Sequence, residues 1–328
     1  MQPFAYARSD TLSDALKRGA QPNTVYLAGG TELLNWMRLG IAEPEQVIDI
    51  GRLRELDGVT RLPSGGLRIG ALTRLNEAAQ HPDVVRDYPV LSEAILKSAS
   101  AQLRNLATVG GNPLQRTRCA YFRQDDLVPC NKRAPGTGCS ALHGYNDKHA
   151  IFGWNETCVA THPADPPVAL TVLDAVVTTE RPGGGRRLPV RELIVLPTRE
   201  RPERDTVLTP GELITGYELA EPAHMSAYLK IRERESYEYA TVSCAVALEM
   251  HGERIARARI ALGSVAHRPW RLDATEERLA GLRIGSPEAK AAIEAGFVDA
   301  RPLSMNAYKI ALAKNAVART LETAGRAA

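Results

Sequence analysis

Between residues 115 and 158 the hydrophobic periodicity of this chain stops. The stretch carries Pro129, Pro135, Gly136, Gly138, Gly144 and Gly153, and four of the chain's five cysteines: Cys119, Cys130, Cys139 and Cys158. An irregular segment of this length inside a compact domain is uncommon and usually functional. Closing it costs chain entropy that a cross-link or a bound group must offset. A metal centre held by the cysteines would do so, because binding is coupled to ordering of the loop. Four cysteines is the complement of an iron–sulfur cluster, in which each iron takes one thiolate. Structural zinc also takes four thiolates, but its usual motifs use close pairs, and no Cys-x-x-Cys occurs here. Two disulfides in one of three pairings, or plain buried thiols, are equally open on spacing alone.

A second constraint is a pair of glycine turns. Leu27-Ala28-Gly29-Gly30-Thr31-Glu32-Leu33-Leu34 follows a short β-branched and aromatic run, Val25-Tyr26. It leads into a helical pattern through Leu33, Leu34, Trp36, Met37 and Leu39, which Gly40 closes. Strand, glycine turn and helix start together make an anion site, since glycine lets backbone N–H groups approach a phosphate. The turn is neither Gly-x-Gly-x-x-Gly nor a Walker loop, and alone it reads equally as a tight turn. The same arrangement recurs at Ala107-Thr108-Val109-Gly110-Gly111-Asn112-Pro113. Two such turns could grip the two phosphates of one dinucleotide.

The 328 residues suffice for two or three domains with real cores. A net charge of +3, with arginines scattered rather than striped, gives no ground for a nucleic-acid partner. No apolar run approaches a membrane span, and the N-terminus lacks the charged and apolar regions of an export signal.

The periodicity predicts a β-α-β unit over residues 1–57: a helix capped by Thr11, a strand before Leu27, the helix after Thr31 and a strand at 47–50. A second unit follows over 58–221. It opens with a hairpin at 58–70 around Gly65-Gly66 and a helix started by Thr73, then a helix over 91–99, and carries the irregular loop at 115–160. After the loop come a helix over 166–173 and strands at 175–179, 186–188 and 212–219. The third unit, 222–328, reads as an antiparallel meander (227–231, 240–250, 255–265) followed by helices at 275–282, 287–295 and 304–324.

Taken together, these segments resemble the FAD-binding subunit of the xanthine dehydrogenase family of molybdenum hydroxylases. Ala28-Gly29-Gly30-Thr31 and Leu103-Arg104-Asn105-Leu106-Ala107-Thr108-Val109-Gly110-Gly111-Asn112 are similar to its two pyrophosphate signatures. His162-Pro163-Ala164-Asp165 resembles the segment whose Asp contacts FAD. Glu212-Leu213-Ile214 resembles the segment giving the flavin ring an apolar contact, and Tyr228-Leu229-Lys230-Ile231-Arg232 the one whose lysine reaches that ring. The resemblance therefore implies FAD contacts from Tyr26, Leu27, Ala28, Gly29, Gly30, Thr31, Glu32, Leu33 and Leu34, from Thr108, Gly110, Gly111 and Asn112, and from Asp165, Ile214 and Lys230. The cysteine segments, Arg118-Cys119, Pro129-Cys130-Asn131, Gly138-Cys139-Ser140 and Thr157-Cys158-Val159, resemble the branch of periplasmic aldehyde oxidoreductases. That branch carries a 4Fe–4S cluster in this subunit, which would make Cys119, Cys130, Cys139 and Cys158 its ligands. The implied fold is α+β: the FAD-binding type shared with vanillyl-alcohol oxidase, with two α/β subdomains, plus a C-terminal antiparallel sheet with helices.

Each residue also has a plainer reading. Asp165 before a helix is by default an N-cap. Lys230 alternates with Leu229 and Ile231, which puts it on the opposite face, by default in solvent. Trp36 belongs to the apolar stripe of its helix and reads as core, as does Cys244 in its apolar strand. His143, His149 and His162 receive no role, because four cysteines already complete a cluster. The resemblance implies an electron-transfer subunit working with a 2Fe–2S subunit and a molybdenum-cofactor subunit in a heterotrimer. Substrate oxidation is expected on a partner, and location in the periplasm by co-export, or else in the cytoplasm. The competing reading is a non-redox interaction module with a zinc- or disulfide-stapled loop.

Overall fold

In the computed structural model, which describes residues 1–124 and 128–326, three sheets are laid down in chain order. The expected loop spans residues 125–127, which lie outside the described residues. The first sheet is parallel, with strands β1 (Ala5–Arg8), β2 (Thr24–Leu27) and β3 (Gln46–Asp49) in the order β1-β3-β2. Thr11 caps the helix Leu12–Gly19 by accepting from the Asp14 N–H at 3.2 Å. Strand β1 was not expected from the sequence. It is exposed along most of its length and so carries little apolar alternation.

The second sheet is antiparallel. Its strands are β4 (Val59–Arg61), β5 (Leu67–Gly70), β6 (Val176–Glu180), β7 (Arg186–Pro189) and β8 (Leu213–Leu219), ordered β4-β5-β8-β6-β7. Strands β5 and β6 are distant in sequence but flank β8, so the whole irregular segment is an excursion between them. Thr73 does not start the next helix. Its hydroxyl donates to the Gly58 carbonyl at 3.1 Å, and Arg74 takes the cap position of Leu75–Gln80.

The third sheet contains β9 (Ser226–Ile231), β10 (Val242–His251), β11 (Arg254–Gly263) and β12 (Trp270–Arg271), ordered β12-β11-β10-β9. Both faces of β10 are buried, and strand alternation divides its side chains between two cores. Val242, Cys244, Val246 and Leu248 pack in the C-terminal core that includes Val317 and Leu321 of the helix Tyr308–Gly325. Ala245 and Ala247 face the other way, into the core that holds Leu91, Leu170 and Tyr217. Small alanines on that face let the helices Pro89–Leu96 and Pro166–Val172 approach the sheet closely. Every residue of Pro166–Val172 is buried, as expected for a helix covered on all sides. The second and third units thus share one continuous apolar interior.

The irregular segment is tied to the C-terminal unit by buried polar groups as well as by Ile151 and Phe152, which pack in the C-terminal core. Asn306 donates from Nδ2 to the carbonyls of His149 and Ala150, both at 3.1 Å, and its Oδ1 accepts from the Leu303 N–H at 2.7 Å. These bonds hold residues 303–306 in a turn, so the last helix starts at Tyr308 and not at Ser304 as its apolar pattern suggests. Asn306 is fully buried. Asn306→Ala strips partners from three backbone groups, each costing ~1–3 kcal/mol when left unpaired. It is expected to destabilise the protein by roughly 2–4 kcal/mol, read as a lower midpoint in urea unfolding; an unchanged midpoint would show that water replaces the amide.

Candidate functional site

The two glycine turns meet. A Cβ on Gly29 would overlap the Leu106 carbonyl oxygen, so only glycine allows the first turn to lie against the second. Gly30 adopts φ +71°, the left-handed region that favours glycine, and this bends the chain into the helix Leu33–Arg38. The second turn is fixed on the sheet side, where the Gly110 N–H donates to the Ala71 carbonyl and the Val109 N–H to the Thr73 carbonyl.

A cleft of about 230 Å³ opens between the turns. Tyr26, Ala28, Gly29, Gly30, Thr31, Glu32 and Leu33 line one wall, and Thr108, Gly110, Gly111 and Asn112 the other, with Ile214 at one end. Leu27 and Leu34 do not line it. They sit behind Gly30, where a Cβ on that residue would meet both side chains at 3.2–3.3 Å. Trp36 is a correction to the sequence reading: it is half-buried in the cleft wall, and its indole Nε1 is sheltered without a partner among the described residues. The lining contains no lysine or arginine. An anion here would be held by N–H groups of the first turn, because those of Val109, Gly110, Gly111 and Asn112 already donate within the protein. Asn112 Oδ1 is also buried without a partner among the described residues, at the waist of the cleft.

At Thr31, Glu32, Ala107, Asn112 and Gln115 the cleft passes into a second chamber of about 290 Å³, which contains Asp165 and Lys230. Both default readings of these residues fail. Asp165 stands at the cap position of Pro166–Val172 but makes no cap bond. Its carboxylate instead accepts from Lys230 Nζ at 2.8 Å and from the Tyr228 hydroxyl at 2.6 Å. The Lys230 side chain is 1% exposed, not solvated. Its ammonium also donates to the Lys97 carbonyl at 3.0 Å, so two of three N–H groups are spoken for and one is left for a ligand. Burial pushes the Asp165 carboxyl up from its ordinary value, against the pull of Lys230. Burial, with the Asp165 charge, pushes the Tyr228 phenol up as well.

The four cysteines of the irregular segment line one small cavity. All five cysteines of the chain are free, so the disulfide pairings are not realised. Cys130 and Cys139 face each other across an isolated antiparallel bridge, and the Asn131 Oδ1 accepts from the N–H groups of Gly136 and Gly138, each at 3.0 Å, to close the turn between them. Asp205 anchors both arms of the segment. It pairs with Arg116 at 2.7 Å and with the buried Lys132 at 2.5 Å. Burial alone would raise the Asp205 carboxyl, but Lys132 and Arg116 hold it down at about 2. Burial pushes the Cys119 and Cys158 thiols up to about 12, with the neighbouring thiols adding to the rise. Bare, these sulfurs are neutral and unreactive; a bound metal would deprotonate them.

Among the described residues no group of three or more His, Cys, Asp or Glu is gathered for a metal ion. A single tetrahedral zinc, with Zn–S of about 2.3 Å, needs sulfurs converging to about 3.8 Å from one another. A four-iron cluster instead takes one thiolate at each iron, spread around its body. The cavity lining holds the four cysteines, no carboxylate, and the cation Lys132, a donor set suited to a cluster.

A third cavity joins these sites. It meets the second chamber at Arg118, Pro163, Glu238 and Tyr239 and reaches Cys119 and His149. Arg118 pairs with Glu32 of the first glycine turn and stacks on Tyr239, its guanidinium carbon 4.6 Å from the ring centre. The residue preceding Cys119 is thereby in contact with the glycine turn. Neither this pairing nor the Asp165–Lys230 pair carries a local sequence signal.

Two glycine turns, a two-chamber cleft and an antiparallel C-terminal sheet define a flavin-binding protein of the molybdenum hydroxylases. The chain belongs to that family as a FAD-binding medium subunit. Residues 2–219 match the FAD binding domain in molybdopterin dehydrogenase, and residues 227–324 the CO dehydrogenase flavoprotein C-terminal domain. It is 44% identical to the aldehyde oxidoreductase FAD-binding subunit PaoB of Escherichia coli, across 99% of each chain. It is 30% identical to the carbon monoxide dehydrogenase medium chain of Hydrogenophaga pseudoflava, over 91% of this chain and 88% of that one. The solved carbon monoxide dehydrogenase from the same organism superposes with a TM-score of 0.76 at 26% identity, covering 100% of this chain and 99% of that one. These relatives are oxidoreductase subunits, and the expected fold class and family both hold.

Gly30→Val would place a branched side chain at positive φ, between Leu27 and Leu34 and at the cleft wall. Strain of ~1–3 kcal/mol leaves the protein folded, but flavin per chain is expected to fall well below half. A variant with full FAD content would remove this turn from the site.

Proposed function

We propose that this chain is the electron-transfer subunit of a molybdenum-dependent aldehyde oxidoreductase, carrying FAD across the two chambers and a 4Fe–4S cluster in the cysteine ring. The observation that carries the reading is the adjacency of the two sites. A third cavity runs from the second chamber to Cys119, one of the four free cysteines, and Arg118, the residue before it, pairs with Glu32 of the first glycine turn. When bound, FAD and the cluster supply a two-electron carrier and a one-electron carrier. In this reading electrons arrive from a 2Fe–2S partner and leave through FAD to an external acceptor, while a molybdenum-cofactor subunit of the same heterotrimer oxidises the aldehyde.

The chain's own groups then have definite tasks. The N–H groups at residues 29–32, which have no acceptor among the described residues, hold the pyrophosphate without a side-chain cation, while Gly110, Gly111 and Asn112, whose N–H groups are bonded within the protein, shape the opposite wall. Ile214 and Trp36 close the apolar end of the first chamber. Asp165 and the Lys97 carbonyl fix Lys230, whose remaining N–H faces the chamber, and a fixed cation there stabilises negative charge gained by the ring. The cysteine sulfurs bind as thiolates, so assembly releases their protons, and the Asp205 anchors hold the loop arms in place.

Two substitutions test the assignments separately. Lys230→Ala is expected to leave FAD bound but lower its two-electron midpoint by about 30 mV or more, the equivalent of ~1.4 kcal/mol. An unchanged midpoint would mean that Lys230 does not reach the ring. Replacing any one of Cys119, Cys130, Cys139 or Cys158 by Ser is expected to lower iron by about a whole cluster, or to leave a three-iron remnant, rather than remove a quarter of it. The loop then becomes protease-sensitive. Iron unaltered in all four variants would refute the ligand set while leaving the flavin reading intact.

A further inference from the structure

The cysteine ring has one close neighbour that the thiolate count leaves out. His149 Nε2 lies 3.3 Å from Cys119 Sγ. The imidazole is 8% exposed, and its Nδ1 is buried without a partner among the described residues. The backbone of His149 is fixed from three sides. Its N–H donates to the Asn146 carbonyl at 3.1 Å, and its carbonyl accepts from Asn306 Nδ2 at 3.1 Å and from Lys309 Nζ at 2.9 Å. Asn146, Asn306 and Lys309 are all fully buried. Desolvating two amides and an ammonium is expensive unless their bonds are made. What those bonds fix is the path of residues 146–150, and His149 is the residue of that path whose side chain meets a cysteine sulfur.

We propose that His149 tunes the redox potential of the cluster by donating a hydrogen bond from Nε2–H to the Cys119 thiolate. The inference rests on the cluster reading above and extends it to a residue outside the ligand set. A ligating thiolate has no proton to give, so the imidazole must be the donor, and Nδ1 is left as the lone-pair nitrogen. Hydrogen bonds to the sulfurs are one of the levers that set a cluster's potential. Taking up one electron increases the negative charge on the sulfurs, so a donor stabilises the reduced form more than the oxidised form. No bond is made or broken at His149; the electron is the one the partner centre or the flavin delivers. The tuned corner also faces the flavin side, because Cys119 and His149 line the cavity that meets the second chamber at Arg118 and Tyr239.

The test is a potentiometric titration, followed by electron paramagnetic resonance, of the anaerobically purified complex. His149→Phe removes the donor and keeps a ring in place. It is expected to lower the cluster midpoint by about 59 mV, a tenfold change in the reduced-to-oxidised ratio for one electron. Iron content and the flavin midpoint are expected to stay at wild-type values. His149→Gln, which retains an N–H of similar reach, is expected to recover at least half the shift. A full cluster with an unchanged midpoint in the Phe variant overturns the proposal. Should that variant not assemble, pulsed resonance on the reduced wild-type complex labelled with 15N-histidine decides: one weak 15N coupling supports the proposal, and none overturns it. Wild-type protein without iron would instead remove the cluster reading on which the inference stands.

Discussion

The contact of Gly29 with the backbone at Leu106 is the constraint on which the site depends. Because no Cβ fits there, two turns from different sheets come together and a cleft opens between them. One turn belongs to a small parallel sheet and the other is pinned to Ala71, beside the five-stranded sheet, so the cleft is made by docking rather than by either unit alone. The absence of cationic side chains from its first chamber follows from this geometry. Turn N–H groups provide the positive end, and a lysine would only fill the space. The cation appears where the chamber changes character, at Lys230, delivered by a strand of the third sheet.

The cysteine segment uses a different physics. Its described residues form only short helical turns, and beyond the apolar anchors Phe122, Ile151 and Phe152 it is ordered by charge and hydrogen bonds. Asp205 holds both arms near the ring, Asn131 closes the turn between two cysteines, and Asn306 and Lys309 hold the far end against the C-terminal helix. Buried polar anchors of this kind are costly unless fully paired, and they fix one conformation when they are. Through Arg118 and Glu32 the segment also touches the first glycine turn, and the third cavity lies between the cleft and the cysteines.

Features governed by local pattern were legible in the sequence. The hairpin at Gly65-Gly66, the meander turning at Gly252 and the helix Pro287–Ala295 follow from turn residues and periodicity. Both glycine turns were visible as turns, but their mutual approach was not, because nothing in either stretch encodes the other. Asp165 looked like a cap since its position before two prolines is that of a cap; its true partner is 65 residues away. Lys230 looked solvated because alternation gives a face, not what covers that face. Trp36 matched its helix's apolar stripe, of which Leu33 and Trp36 line the cleft while Met37 is buried in the interior. The cysteine spacings fitted several chemistries, and their gathering around one cavity depends on Asp205 and the Cys130–Cys139 bridge, which the spacings do not encode. His149 had no signal, being placed by residues at 306 and 309.

The most direct measurement of the central claim is cofactor content of the wild-type protein purified without oxygen, with flavin, iron, acid-labile sulfide and zinc assayed on one sample. This account predicts about one FAD, four irons and four sulfides per chain, with a broad cluster absorption beneath the flavin bands. One FAD with less than about one iron per chain, or zinc in place of iron, would contradict it.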